Sequence, residues 1–163
     1  MRRSFLFLLF VAVLIPSVYS TLAHAAPSPS RMSSQSQTTE FNYANLLERL
    51  ELYGFNYDEA DTIPVEDSFL SVECKLVFIR GELISVYQYS SNESMERDSK
   101  YIHEGGCSIQ HPEKAIEISW VSYPHFFKNG VIIVNYVGEN EDILKLLREI
   151  LGEPFAGYAY INR

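Results

Sequence analysis

Apolar residues recur at helical spacing over residues 43–53: Tyr43, Leu46, Leu47, Leu50 and Tyr53 share one side, while Asn45, Glu48, Arg49 and Glu51 take the other. Gly54 follows as a C-terminal cap, so the stretch predicts an amphipathic helix. Residues 55–69 (FNYDEADTIPVEDSF) are acidic, contain Pro64 and show no period, which predicts a connection over the surface. From Ser71 the period shortens to two. Val72, Cys74, Leu76 and Phe78 alternate with Glu73, Lys75, Val77 and Ile79, Arg80-Gly81 offers a tight turn, and residues 83–89 (LISVYQY) return. That is a hairpin. Ser90 with Glu93 three residues on matches a capping box, Met95 and Ile102 share a face of the short helix that follows, and Gly105-Gly106 ends it.

A second round begins at Cys107. Residues 115–121 (AIEISWV) predict a strand with Ile116, Ile118 and Trp120 inward, and residues 122–127 predict a loop. Asn129-Gly130 is the strongest hairpin signal in the chain, and the nearly all-apolar run 131–137 (VIIVNYV) predicts a central strand. Asn140 caps a last helix carrying Ile143, Leu144, Leu146, Leu147, Ile150 and Leu151, which stops at Gly152 before Pro154. Laid together without gaps, residues 83–102 match residues 131–150, pairing Ile84 with Ile132, Val86 with Val134, Asn92 with Asn140, Glu93 with Glu141 and Ile102 with Ile150. Each half reads strand, turn, strand, helix. The predicted fold is α+β: a four-stranded antiparallel sheet from two ββα units, helices on one face, and the N-terminal helix packed on it or capping an edge.

The head of the chain has a different composition. Met1, Arg2 and Arg3 precede an uninterrupted apolar run from Phe5 to Ile15, and Ala23-His24-Ala25 places small side chains where signal peptidase reads them. Residues 1–25 therefore predict a signal peptide cleaved before Ala26; Pro16, Ser17 and Ser20 break the run before it reaches the about 20 apolar residues of a membrane span. Residues 26–40 (Ser, Pro, Gln and Thr) predict a disordered tether, residues 41–157 a single domain and residues 158–163 a tail. The expected location is secreted or extracytoplasmic, in the periplasm or the cell-wall space, with no stable membrane anchor after cleavage.

Charge narrows the partners. The chain holds 13 basic and 21 acidic residues, a formal charge of −8, and loss of Arg2 and Arg3 takes it to about −10. So acidic a domain repels nucleic acid, leaving a protein, peptide or glycan as the expected partner. An oxidising compartment makes a Cys74–Cys107 disulfide the expected pairing, and closing its loop contributes on the order of 4 kcal/mol in the chain-entropy picture. Two core thiols are the alternative.

Few constellations suggest chemistry. His103-Glu104-Gly105-Gly106-Cys107 begins like the zinc-protease motif H-E-x-x-H, but the glycines break the helix that motif requires. A looser metal set of His103, Cys107 and His111 competes with the disulfide for Cys107. No cofactor is expected, and no G-x-S-x-G elbow, phosphate loop or dinucleotide motif occurs. Trp120, Tyr123, Pro124, His125, Phe126 and Phe127 gather aromatic rings beside a hairpin. Trp120, Tyr123, His125 and Phe126 are thus the candidate binding residues, with Tyr123 and His125 expected exposed and Trp120 and one of the two phenylalanines buried.

The run 119–157 (SWVSYPHFFKNGVIIVNYVGENEDILKLLREILGEPFAG), with LISVYQY and TIPVEDSFLSVECK upstream, resembles a group of uncharacterised exported or lipid-anchored small bacterial proteins. The resemblance covers the first helix to Gly157, and its most specific block surrounds Trp120, Pro124, His125 and Phe126. It implies a bacterial, exported α+β domain and no particular activity. The lipidation cysteine of that group is missing here, since the first cysteine is Cys74. A non-enzymatic extracytoplasmic binding or accessory protein is the expectation, against a small hydrolase or metal-dependent enzyme using His103, His111 or His125.

Overall fold

The computed structural model describes residues 40–158; the predicted signal peptide, nearly all of the tether and most of the tail lie outside them. Three helices form: α1 (Tyr43–Leu52), α2 (Asn92–Ser99) and α3 (Glu141–Leu151). Eight strands accompany them: β1 (Tyr57–Glu59), β2 (Cys74–Ile79), β3 (Glu82–Gln88), β4 (Ser108–His111), β5 (Lys114–Glu117), β6 (Pro124–Asn129), β7 (Ile132–Val137) and β8 (Ala156–Gly157).

The chain is α+β, but its sheet is not the four-stranded one expected. Six strands run antiparallel in the order β1-β2-β3-β7-β6-β8, and β4–β5 forms a separate two-stranded sheet. Three local misreadings and one short added strand, β8 along the β6 edge with Ala156 opposite Phe126, account for the difference. The surface connection 55–69 contributes β1 as an edge strand, with Tyr57 opposite Ile79. The predicted loop 122–127 is most of β6, because Pro124 through Asn129 pair along β7 and lie between two layers, where alternation is not needed. The predicted strand 115–121 is cut to Lys114–Glu117 and pairs with β4, Ile109 opposite Ile116, outside the main sheet.

Turn chemistry sets the two main hairpins. Ile79 pairs with Glu82 around Arg80 (φ 53°) and Gly81 (φ 81°), the two positive φ values that match the strands' right-handed twist. In the second hairpin Asn129 itself pairs with Ile132, so the loop is Gly130-Val131 with the glycine first, at φ 56°. A Cβ at Gly130 would sit 2.2 Å from the Phe41 carbonyl oxygen, so glycine also lets the entry to α1 lie against this turn.

Helices cover both faces of the sheet, which corrects the one-face expectation. Leu46 and Leu50 of α1 and the apolar side of α3 pack with Val77, Ile79, Ile84, Val86, Phe127, Ile132, Val134 and Tyr136. The opposite face presents Cys74, Tyr87, Phe126 and Ile133 to Met95 of α2 and Ile109 of β4. The nearly all-apolar β7 runs between the two layers, its neighbours Ile132 and Ile133 facing opposite ways. Asn140 caps α3 by accepting from the Asp142 N–H, as predicted, and Ser91 rather than Ser90 caps α2 by accepting from the Ser94 N–H at 3.2 Å.

No disulfide links the cysteines. Cys74 is buried in β2 beneath the second layer, Cys107 is exposed just before β4, and the two are not near each other. Burial pushes the Cys74 thiol above its ordinary pKa. No described helix is long and apolar enough to cross a membrane.

Candidate functional site

A cleft of about 380 Å³ opens on the α2 side of the sheet. One wall begins at Pro64, after which Val65–Asp67 make a single 3₁₀ turn that delivers Ser68, Phe69 and Leu70 toward the sheet. The facing wall is the β4–β5 hairpin. That hairpin is tied to the end of α2 by backbone bonds from His103 N–H to Ser108 and from Gln110 N–H to Tyr101. Tyr101 and His111 meet edge to face at 4.9 Å on this wall, and Lys114 bridges the mouth by donating to the Ser68 carbonyl at 3.5 Å.

Asp98, in the last turn of α2, forms the floor at 4 % exposure. Its Oδ2 accepts from the Ser71 N–H (3.0 Å), the Ser71 hydroxyl (2.6 Å) and the Tyr89 hydroxyl (2.9 Å). One carboxylate oxygen thereby fastens the incoming loop to α2 and to the residue that follows β3, and burial, with the adjoining charge adding to it, raises the Tyr89 phenol above its ordinary range. His111 Nδ1 accepts from the Glu113 N–H at 3.3 Å, so in the neutral ring the proton sits on Nε2.

The aromatic run divides between surface and core. Tyr123 is exposed, as predicted, and stacks on Tyr158 with ring centroids 3.9 Å apart. His125 is buried, contrary to expectation. Pairing with Tyr136 turns its ring toward the α1/α3 layer, where Nε2 meets the Gly138 carbonyl at 3.1 Å and Nδ1 has no partner. Burial lowers the His125 pKa, partly opposed by the Gly138 bond. Phe126 and Phe127 are both buried, in opposite layers. Trp120 is half-buried and pinned by a 2.7 Å bond from its indole N–H to the Gly106 carbonyl. Its ring stands edge-on to Phe69, a cleft wall, at 5.7 Å. None of the four candidate residues is in the cleft's lining, though Trp120 touches it through Phe69.

The three described histidines fall into three environments. His111 lines the cleft, His103 is exposed with Nδ1 accepting from the Gly105 N–H, and His125 lies under the opposite layer. Among the described residues no three His, Cys, Asp or Glu side chains are grouped to hold a metal ion, so His103, Cys107 and His111 are not brought together. Sequence reading passed over Asp98, Phe69 and Tyr101. The available signal was an acid in the last turn of a short helix, where the helix dipole disfavours it. No protein-family model, curated protein or solved structure matches this chain.

Proposed function

We propose that the protein is a non-enzymatic binding or accessory module of the periplasm or cell-wall space, and that it takes its ligand in the cleft between the 65–71 loop and the β4–β5 hairpin. The cleft's size carries this reading: about 380 Å³ is enough for a small molecule or one anchoring side chain of a larger partner. Its lining sets Val65, Phe69, Leu70, Tyr101 and Ile109 beside charged and hydroxyl groups, so that apolar contact can hold a ligand and polar groups can orient it. Asp98 Oδ2 already accepts three hydrogen bonds, and His111 adjoins a tyrosine ring with no serine or cysteine bonded to it. The arginine-flanked apolar head and Ala23-His24-Ala25 support the location. The resemblance through Trp120, Pro124, His125 and Phe126 supports export from a bacterium.

The test is a thermal-shift screen of small fragments on the protein produced with its leader in a bacterial host, its intact mass first reporting whether cleavage falls before Ala26. Hits are mapped by amide NMR. Shifts at Phe69, Tyr101 and His111 are expected. Hits confined to Tyr123 and Tyr158, or a screen with no hits, would overturn the cleft as the site.

A further inference from the structure

Building on the cleft as the binding site, we propose that it selects a primary ammonium group carried on an apolar stem, with Asp98 as the counter-charge. A buried carboxylate ordinarily faces a cation, because removing its hydration is costly unless an opposite charge compensates. Asp98 is 4 % exposed, yet its donors are an amide and two neutral hydroxyls, and no ion pair among the described residues includes it. The nearest basic residue in its helix, Arg97, points to solvent and pairs with Glu93. The negative end of α2 adds to the field of Asp98, since the last carbonyls of a helix favour a cation.

The rest of the cleft fits the same ligand. Glu66 and Glu113 bring the lining to three carboxylates against the one ammonium of Lys114. Phe69 and Tyr101 offer ring faces and edges to an alkyl chain and to the charge at its end. In this proposal the stem is held by apolar contact with Phe69 and Tyr101 and the ammonium by Asp98.

Three probes of equal length test the charge: hexylammonium, hexan-1-ol and hexanoate at pH 8, followed by calorimetry and by the emission of Trp120, the single tryptophan, through its contact with Phe69. Hexylammonium is expected to bind about tenfold more tightly than either rival, a difference that shrinks as salt is raised. Asp98→Asn retains an acceptor for Ser71 and Tyr89 and is expected to erase the preference. Should that variant fail to fold, Glu66→Gln with Glu113→Gln, both on exposed positions, is expected to reduce the preference several-fold. The blocked tripeptide acetyl-Gly-Lys-Gly-amide, beside hexylammonium, distinguishes a lysine side chain from a free amine as the source of the group. Equal binding of the three six-carbon probes would overturn the ammonium preference and leave the cleft as an apolar site. Tightest binding of hexanoate would overturn it in favour of Lys114. No binding by any probe would remove the support for both readings.

Discussion

On the α1/α3 side the sheet meets Leu46, Leu50, Ile143 and Leu147, all fully buried, and His125 is the buried polar residue found there among those described. On the α2 side it meets Met95 and Ile109 in company with Asp98, Ser99, Ser108 and Asn135, whose Oδ1 has no partner. Both helices follow equivalent strands. Val86 faces Val134 across the β3/β7 pair, and these are the residues matched when the two halves of the sequence are aligned. Repeated strands have therefore not carried repeated layers. Helix α3 offers six buried apolar side chains and closes its face tightly, whereas α2 buries Met95 alone of that kind, with Asp98 and Ser99. The first layer holds the fold by area. The second joins a smaller apolar cluster around Met95 and Ile109 to three hydrogen bonds on Asp98, and leaves a cleft.

The comparison breaks most visibly where apolar burial is removed. Leu147→Ala, at a fully buried site, is expected to cost about 3 kcal/mol in urea unfolding, from lost transfer energy and the cavity left behind. A loss below about 1 kcal/mol would show that the α3 layer is not the main source of stability. Asp98→Ala comes next. It leaves the Tyr89 hydroxyl, the Ser71 hydroxyl and the Ser71 N–H without their acceptor, at a cost of about 2 kcal/mol, with amide exchange rising in residues 65–71 before any global change. Uniform exchange across the chain would mean that Asp98 does not hold the loop separately.

The smallest effect is a pH dependence on the apolar side. Because burial lowers the His125 pKa, the unfolded chain takes up a proton near pH 6.5 that the native chain refuses. The contribution is therefore complete above pH 6.5 and is lost as pH falls from there toward the lower native value. The midpoint of thermal unfolding is expected to fall between pH 7.5 and 5.5, and the fall to be weaker in His125→Phe. Identical slopes in the two proteins would exclude His125 as the source.

Features written in short stretches of sequence were legible. The α1 and α3 periodicities, the Arg80-Gly81 turn and the Asn140 cap each depend on neighbours within a few residues, and the structure reproduces them. The candidate site was not. Asp98 acquires its meaning from Ser71, 27 positions away, and the cleft exists only because the β4–β5 hairpin stands opposite the 65–71 loop. His125 was misread because a loop and a doubly covered strand can share the same run of aromatic residues, and pairing with Tyr136 decides between them.

The sequence by itself determined the α+β class, the α1 and α3 helices, the hairpin at Arg80-Gly81 and the acidic charge, because propensity, period and composition act locally. Tertiary structure alone decided the edge strands β1 and β8, the face that α2 covers, the separation of Cys74 from Cys107 and the buried Asp98 carboxylate held by neutral donors in the cleft. Each of these depends on which distant segment supplies the missing hydrogen bond or apolar cover. A β-strand edge or a short helix accepts either of two partners until the whole chain is packed.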